Sequence, residues 1–172
     1  MAVTEKCQPW MWEGDPCEMV VEDIGGTQTF AIGSPLQKYS GYVILAQDCA
    51  SGASDKAIYG FAYALATAPT TGDDIYVAKI NVNQLWAMWV SSSGNDSAAA
   101  ATIKGNAYGH AVESSSPYAG YMTLDLGYTT YVSMVVEGIL SEKDSKIVAS
   151  ASTSPGVAIV RFTAAALDQL GA

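Results

Sequence analysis

Turn signals break this chain every 8–14 residues, and the runs between them are short, apolar or alternating. That rhythm constrains the fold more than any other feature. A helix needs about ten or more residues patterned with a 3.6 period, whereas a strand needs only about four to eight with period 2 or a continuous apolar run. Tyr76, Ala78, Ile80 and Val82 fall on one face with Lys79 and Asn81 opposite; Met122, Leu124 and Leu126 alternate with Thr123 and Asp125; Val132, Met134 and Val136 repeat the pattern. Tyr42–Ala46 and Leu85–Val90 are continuous apolar runs, Ala57–Ala66 has no polar side chain except tyrosine hydroxyls, which predicts burial on both faces, and Val157–Phe162 reads as the last strand. Asn106–Val112 continues the strand grammar, and Gln28–Ile32 leads into the Gly33-Ser34-Pro35 turn. Helix is expected only as a turn or two, at the four alanines from Ala98 and near Ala164.

Eight to ten such strands predict an all-β chain, a single β-barrel or β-sandwich domain. Residues 1–25 read differently. They hold two of the four tryptophans, two of the three cysteines and two of the six prolines, with no alternation before Met19-Val20-Val21. Proline cannot donate to a sheet ladder, while aromatics of this size need cover. The reading is an extended N-terminal arm over 1–25, a break at Gly25-Gly26, and the β-domain over 26–172. Trp10, Met11 and Trp12 are the arm's candidate interface, against a partner or, alternatively, folded back on the arm's own domain.

Charge narrows the function. Seventeen acidic residues against eight basic ones give a net charge of −9, and Arg161 is the single arginine. No basic patch exists for nucleic acid, an anionic membrane surface would repel the chain, and no apolar run reaches the length of a membrane-spanning helix. Met1–Glu13 carries no apolar signal core, so the expectation is a protein made in a cytoplasm without a signal peptide. Charged residues are only 15% of the chain, below the roughly 25% of ordinary soluble domains. Such an exterior suits a domain whose outer faces meet neighbours.

Catalytic chemistry has few candidates. A hydrolytic triad needs a histidine held beside a nucleophile, but His110 is the only histidine and no serine sits in a G-x-S-x-G elbow. His110 reads as a strand residue. Cys7 and Cys17 are ten apart, too far for an ordinary zinc pair; with Cys49 they read as small semi-buried residues, or as a disulfide formed after release from the cell. Asp73-Asp74 in the Pro-Thr-Thr-Gly turn reads as a cap, with calcium binding as the alternative. No phosphate-binding glycine motif occurs. The expectation is no enzyme, no cofactor and no metal. A carbohydrate-binding or host-adhesion module stays open, since ten tyrosines and four tryptophans are available to stack on sugars.

The order of five segments resembles tailed-phage capsid decoration (cement) proteins: Leu36-Gln37-Lys38-Tyr39-Ser40-Gly41-Tyr42, Ile58-Tyr59-Gly60-Phe61-Ala62, Gly72-Asp73-Asp74-Ile75-Tyr76-Val77, Gly105-Asn106-Ala107-Tyr108-Gly109 and Val157-Ala158-Ile159-Val160-Arg161-Phe162. The resemblance implies a β-barrel or sandwich that binds the outside of an assembled capsid. Its partners would be the major capsid protein and two further copies of itself in a homotrimer, and its location the outer surface of the virion. The segment around Trp10-Met11-Trp12 lies outside the resemblance.

Overall fold

A computed structural model describes residues 9–47, 57–92, 95–97, 99–113, 120–140 and 156–167. The strands are β1 (Trp10–Glu13), β2 (Glu18–Asp23), β3 (Pro35–Tyr39), β4 (Tyr42–Leu45), β5 (Gly60–Ala62), β6 (Asp74–Lys79), β7 (Leu85–Ser92), β8 (Asn95–Asp96), β9 (Ala107–Val112), β10 (Met122–Asp125), β11 (Met134–Ile139) and β12 (Val157–Phe162). Helix among the described residues is limited to single 3-10 turns at Ala101–Ile103 and Ala164–Ala166. The fold is all-β, a barrel with a second sheet packed on it.

β7 organises the barrel. It pairs antiparallel with β12 from Trp86↔Val160 to Trp89↔Val157 and parallel with β10 at Val90↔Leu124. Those pairings close β7-β10-β9-β11-β12 into a ring. Trp86, Met88 and Val90 fill its inside with Leu124, Met134, Val136, Val160 and Phe162. Ala87 and Trp89 point outward into a separate cluster with Tyr121, Leu140 and Val157. Both rows are covered, which is why Leu85–Val90 has no polar position.

The second sheet runs β2-β6-β5-β3-β4. A parallel bridge, Ile24↔Val43, brings its two ends together, so the sheet curls around a core of its own: Ile24, Phe30, Leu36, Val43, Tyr59, Ala62, Ile75 and Val77. Its outer face meets the barrel at one end, where the Phe61 ring lies 4.7 Å from Trp86 and 6.3 Å from Phe162.

Three sequence expectations change here. Ala57–Ala66 is buried on both faces only as far as Ala62, because the barrel ends there; Tyr63 and Leu65 project beyond it. Tyr76 shares a face with Ala78 and Ile80, as the alternation predicts, but lies past the same limit and is exposed, while Ile75 and Val77 enter the second core. Val132 precedes β11 and is exposed, unlike Met134 and Val136.

Residues 9–25 cross from one sheet to the other. β1 lies antiparallel on β7 with a bulge between Met11 and Glu13, and β2 follows β6 in unbroken register from Glu18↔Lys79 to Asp23↔Asp74. Between them, the Asn83 amide donates to Asp15 Oδ2 at 2.9 Å and the Gln84 amide to the Asp15 carbonyl at 3.0 Å. Gly14 is required at this crossing: its φ is +119°, and a Cβ would sit 2.3 Å from the Asn83 carbonyl oxygen. Pro9 and Pro16 fall outside both strands, where no ladder donor is needed. The first eight residues of the expected arm, and the Glu142–Lys146 charge run, lie outside the described residues.

Candidate functional site

His110 is wholly buried in β9, paired with Leu124 and so facing the barrel interior. Its Nε2 lies 2.8 Å from the Gln47 carbonyl and its Nδ1 2.9 Å from Ser133 Oγ. A carbonyl only accepts, so Nε2 carries the proton and, in the neutral ring, Nδ1 accepts from the Ser133 hydroxyl. The contact resembles a serine nucleophile and its base, but Ser133 is also buried. The pair therefore ties β9 to the segment entering β11.

The opposite face of the β9–β10 wall holds a second buried polar chain. Thr123 donates to Glu113 Oε1 at 2.8 Å, which leaves Ser91, also 2.8 Å away, to donate to Thr123. Asp125 accepts from the Gly127 amide at 2.7 Å and closes the turn after β10. In the second sheet, the Lys38 ammonium sits 2.7 Å from Glu22 Oε2 and over the Tyr59 ring, and the Tyr59 hydroxyl donates to Glu22. Asp73 takes two hydrogen bonds from Thr70, the turn-capping role read for it. Among the described residues no group of three or more His, Cys, Asp or Glu is placed to hold a metal. Cys17 is a free thiol, and Cys7 and Cys49 lie outside the described residues. Burial pushes the Cys17 thiol up, opposed by a hydrogen bond from the Gln84 amide.

Trp10 and Trp12 are half-buried, packed with Ala31 and Ile159 against the outer barrel cluster of Trp89, Leu140 and Val157. Met11 projects from the other face of β1 and is 38% exposed, with Cys17 Sγ 3.7 Å from its sulfur. The three residues do not form one surface.

The apolar surface that is open lies at the far end of the second sheet. Val21 of β2 stands directly opposite Tyr76 of β6, Met19 lies two residues along, and Tyr63 is joined to Tyr76 by its amide donating to the Tyr76 carbonyl. Their exposures are 52% for Val21, 57% for Tyr76, 44% for Met19 and 65% for Tyr63, with Leu65 nearby in the chain also at 65%. Strand pairing places Met19, Val21 and Tyr76 on the outer face. The sequence carries only a faint signal for it. Glu22 turns inward to meet Lys38, so the apolar–acidic alternation of β2 is inverted relative to an ordinary half-buried strand.

Among the described residues no helix is long and apolar enough to cross a membrane. No family model, curated protein or solved structure matches this chain.

Proposed function

We propose that this chain is a structural protein of a tailed-phage virion, which binds the outer surface of the assembled capsid and braces its subunit junctions as a decoration protein. The observation that carries the reading is the open row of Met19, Val21, Tyr63 and Tyr76. Contiguous exposed apolar surface on a folded domain marks an interaction site, and a backbone already fixed by β2–β6 pairing has no ordering cost of its own to meet on docking. The chemistry of the remainder agrees. His110, Ser133, Glu113 and Asp125 are committed to internal hydrogen bonds, and the low charge suits a protein set among neighbours. The segments that resemble decoration proteins fall on the β3–β4 hairpin, β5, β6, the entry to β9, and β12.

The major capsid protein is the proposed partner. Assembly as a homotrimer would multiply weak contacts into firm attachment. Trp10, Met11 and Trp12 form a secondary contact in this scheme, because the two tryptophans are already half covered. The test is co-sedimentation of the purified protein with empty, expanded capsid shells of the phage that carries it, together with its mass in solution. Saturable binding by a trimer supports the reading, and absence of the protein from shell pellets at micromolar concentration rejects it.

A second reading has one observation in its favour. Tyr39 and Tyr42 face each other at the tip of the β3–β4 hairpin, 61% and 36% exposed, across a Ser40-Gly41 turn with positive φ at both residues. Such a pair can stack on a sugar ring, as a host-adhesion module requires. Glycan-array binding lost in Tyr39→Ala would favour that reading over the capsid.

A further inference from the structure

We infer that the partner of the open β2–β6 face is a different protein whose docking surface carries apolar side chains ending in a lysine or arginine, the basic group seating on Asp23 and Asp74. This rests on the proposed attachment to a capsid and names the chemistry of the shell surface that receives it. The outer face of β2 and β6 is a ladder with three rungs, Met19·Ala78, Val21·Tyr76 and Asp23·Asp74. Its last rung sets two exposed carboxylates directly opposite each other on adjacent strands. Like charges so placed are destabilising on their own.

Nothing described in the chain offsets that pair. Of the described basic side chains, Lys38 is held by Glu22, Lys79 by Glu18 and Arg161 by Glu137. Lys104 follows the 3-10 turn at Ala101–Ile103, on the way into β9 of the barrel. A guanidinium or ammonium from a partner would bridge both carboxylates, converting a repulsion into charge-assisted hydrogen bonds. The adjoining Val21, Tyr76 and Met19 would seat the partner's apolar groups and exclude water from the bridge.

A second copy of this chain fits the face poorly. In a two-fold contact each copy offers the same surface, and the described part of this surface contains acids and apolar groups with no free cation. Such a contact would bury the two carboxylates of each copy without a counter-charge, which is strongly unfavourable. Any trimer contacts then lie on other faces.

The test compares wild type with Asp23→Asn/Asp74→Asn and with Val21→Ser/Tyr76→Ser. Each is measured for retention on empty expanded shells at low and high salt, for mass in solution, and for thermal melting. The expected result is wild-type binding that weakens as salt rises, since exposed charge pairs are screened. The Asn pair should bind about tenfold more weakly at low salt, the loss of one charged bridge, with a flatter salt dependence and an unlowered melting point. The Ser pair should bind at least about tenfold more weakly and keep its mass. Wild-type binding with an Asn pair indistinguishable from it at both salts overturns the inference and leaves the capsid reading standing. A Ser pair that loses its oligomeric mass makes the face a self-contact and also overturns it. Wild type that does not bind shells removes the capsid reading itself.

Discussion

The barrel and the second sheet solve the same problem differently. Each wraps an apolar core, but the barrel wall around β7 and β12 is also covered from outside, by Trp89, Leu140, Trp10 and Trp12. The outer face of the second sheet is covered where Phe61 meets Trp86 and open at Val21, Tyr63 and Tyr76. Trp10, Trp12 and Trp89 contribute stability in the first region, whereas Tyr63 and Tyr76 in the second are exposed. Substitutions in the two regions should therefore separate along those lines.

The largest expected effect is removal of the first crossing. Deleting residues 1–17 takes away β1 and the cover of Trp10 and Trp12 over the barrel. Losing a fully buried tryptophan side chain costs about 3–5 kcal/mol, so two half-buried ones together cost about as much, and each kcal/mol lowers melting by roughly 2–4 °C at this size. A fall of about 10 °C or more is predicted by calorimetry; an unchanged melting point would show that β1 is an appendage. Gly14→Ala comes next. It forces a side chain onto the Asn83 carbonyl at positive φ, with an expected loss of about 2–3 kcal/mol in urea unfolding.

Lys38→Ala leaves Glu22 and the Tyr59 hydroxyl without their cation. Breaking a fully buried pair costs about 3–5 kcal/mol; these side chains keep slight exposure, so about 2 kcal/mol is expected, again by urea unfolding. Smallest in stability is Val21→Ser/Tyr76→Ser, within roughly 0.5 kcal/mol per site, although the same change should release the protein from shells. A large drop in melting would move that row into the structural class and erase the contrast between the regions.

The crossing between the regions has its own probe in Cys17. Its raised pKa keeps the thiol protonated at neutral pH, so in a Cys7→Ser/Cys49→Ser protein it should react with iodoacetamide more slowly than a free cysteine does. The sign for stability follows. The folded state holds the proton more tightly, so the contribution is full below the unfolded thiol pKa and is lost as pH rises through the folded value. Fast labelling at pH 7 would contradict the burial.

Legibility in the sequence follows the same division. β7 stands out because a strand covered on both faces leaves few positions for polar side chains, and β10 because Met122 and Leu124 alternate with Thr123 and Asp125, although the structure buries those two as well. β2 and β6 were harder to read, since which face is covered depends on where the barrel stops, a tertiary limit that local pattern does not encode. Glu22 and Lys38 add to this by pairing inside the sheet while Val21 and Tyr76 face outward. The strand character of Trp10–Glu13 was masked by prolines that turn out to flank it. His110 and Asp73 were readable in role, yet nothing local announced Ser133 as the partner of His110, 23 residues away.

Hydrogen–deuterium exchange on the protein, free and bound to expanded empty shells, tests the central claim most directly. The account predicts new protection on binding at residues 19–23, 63–65 and 74–76, with little change across the barrel strands β9 to β12. Protection confined to Trp10–Glu13, or to the Tyr39–Tyr42 hairpin, would contradict it.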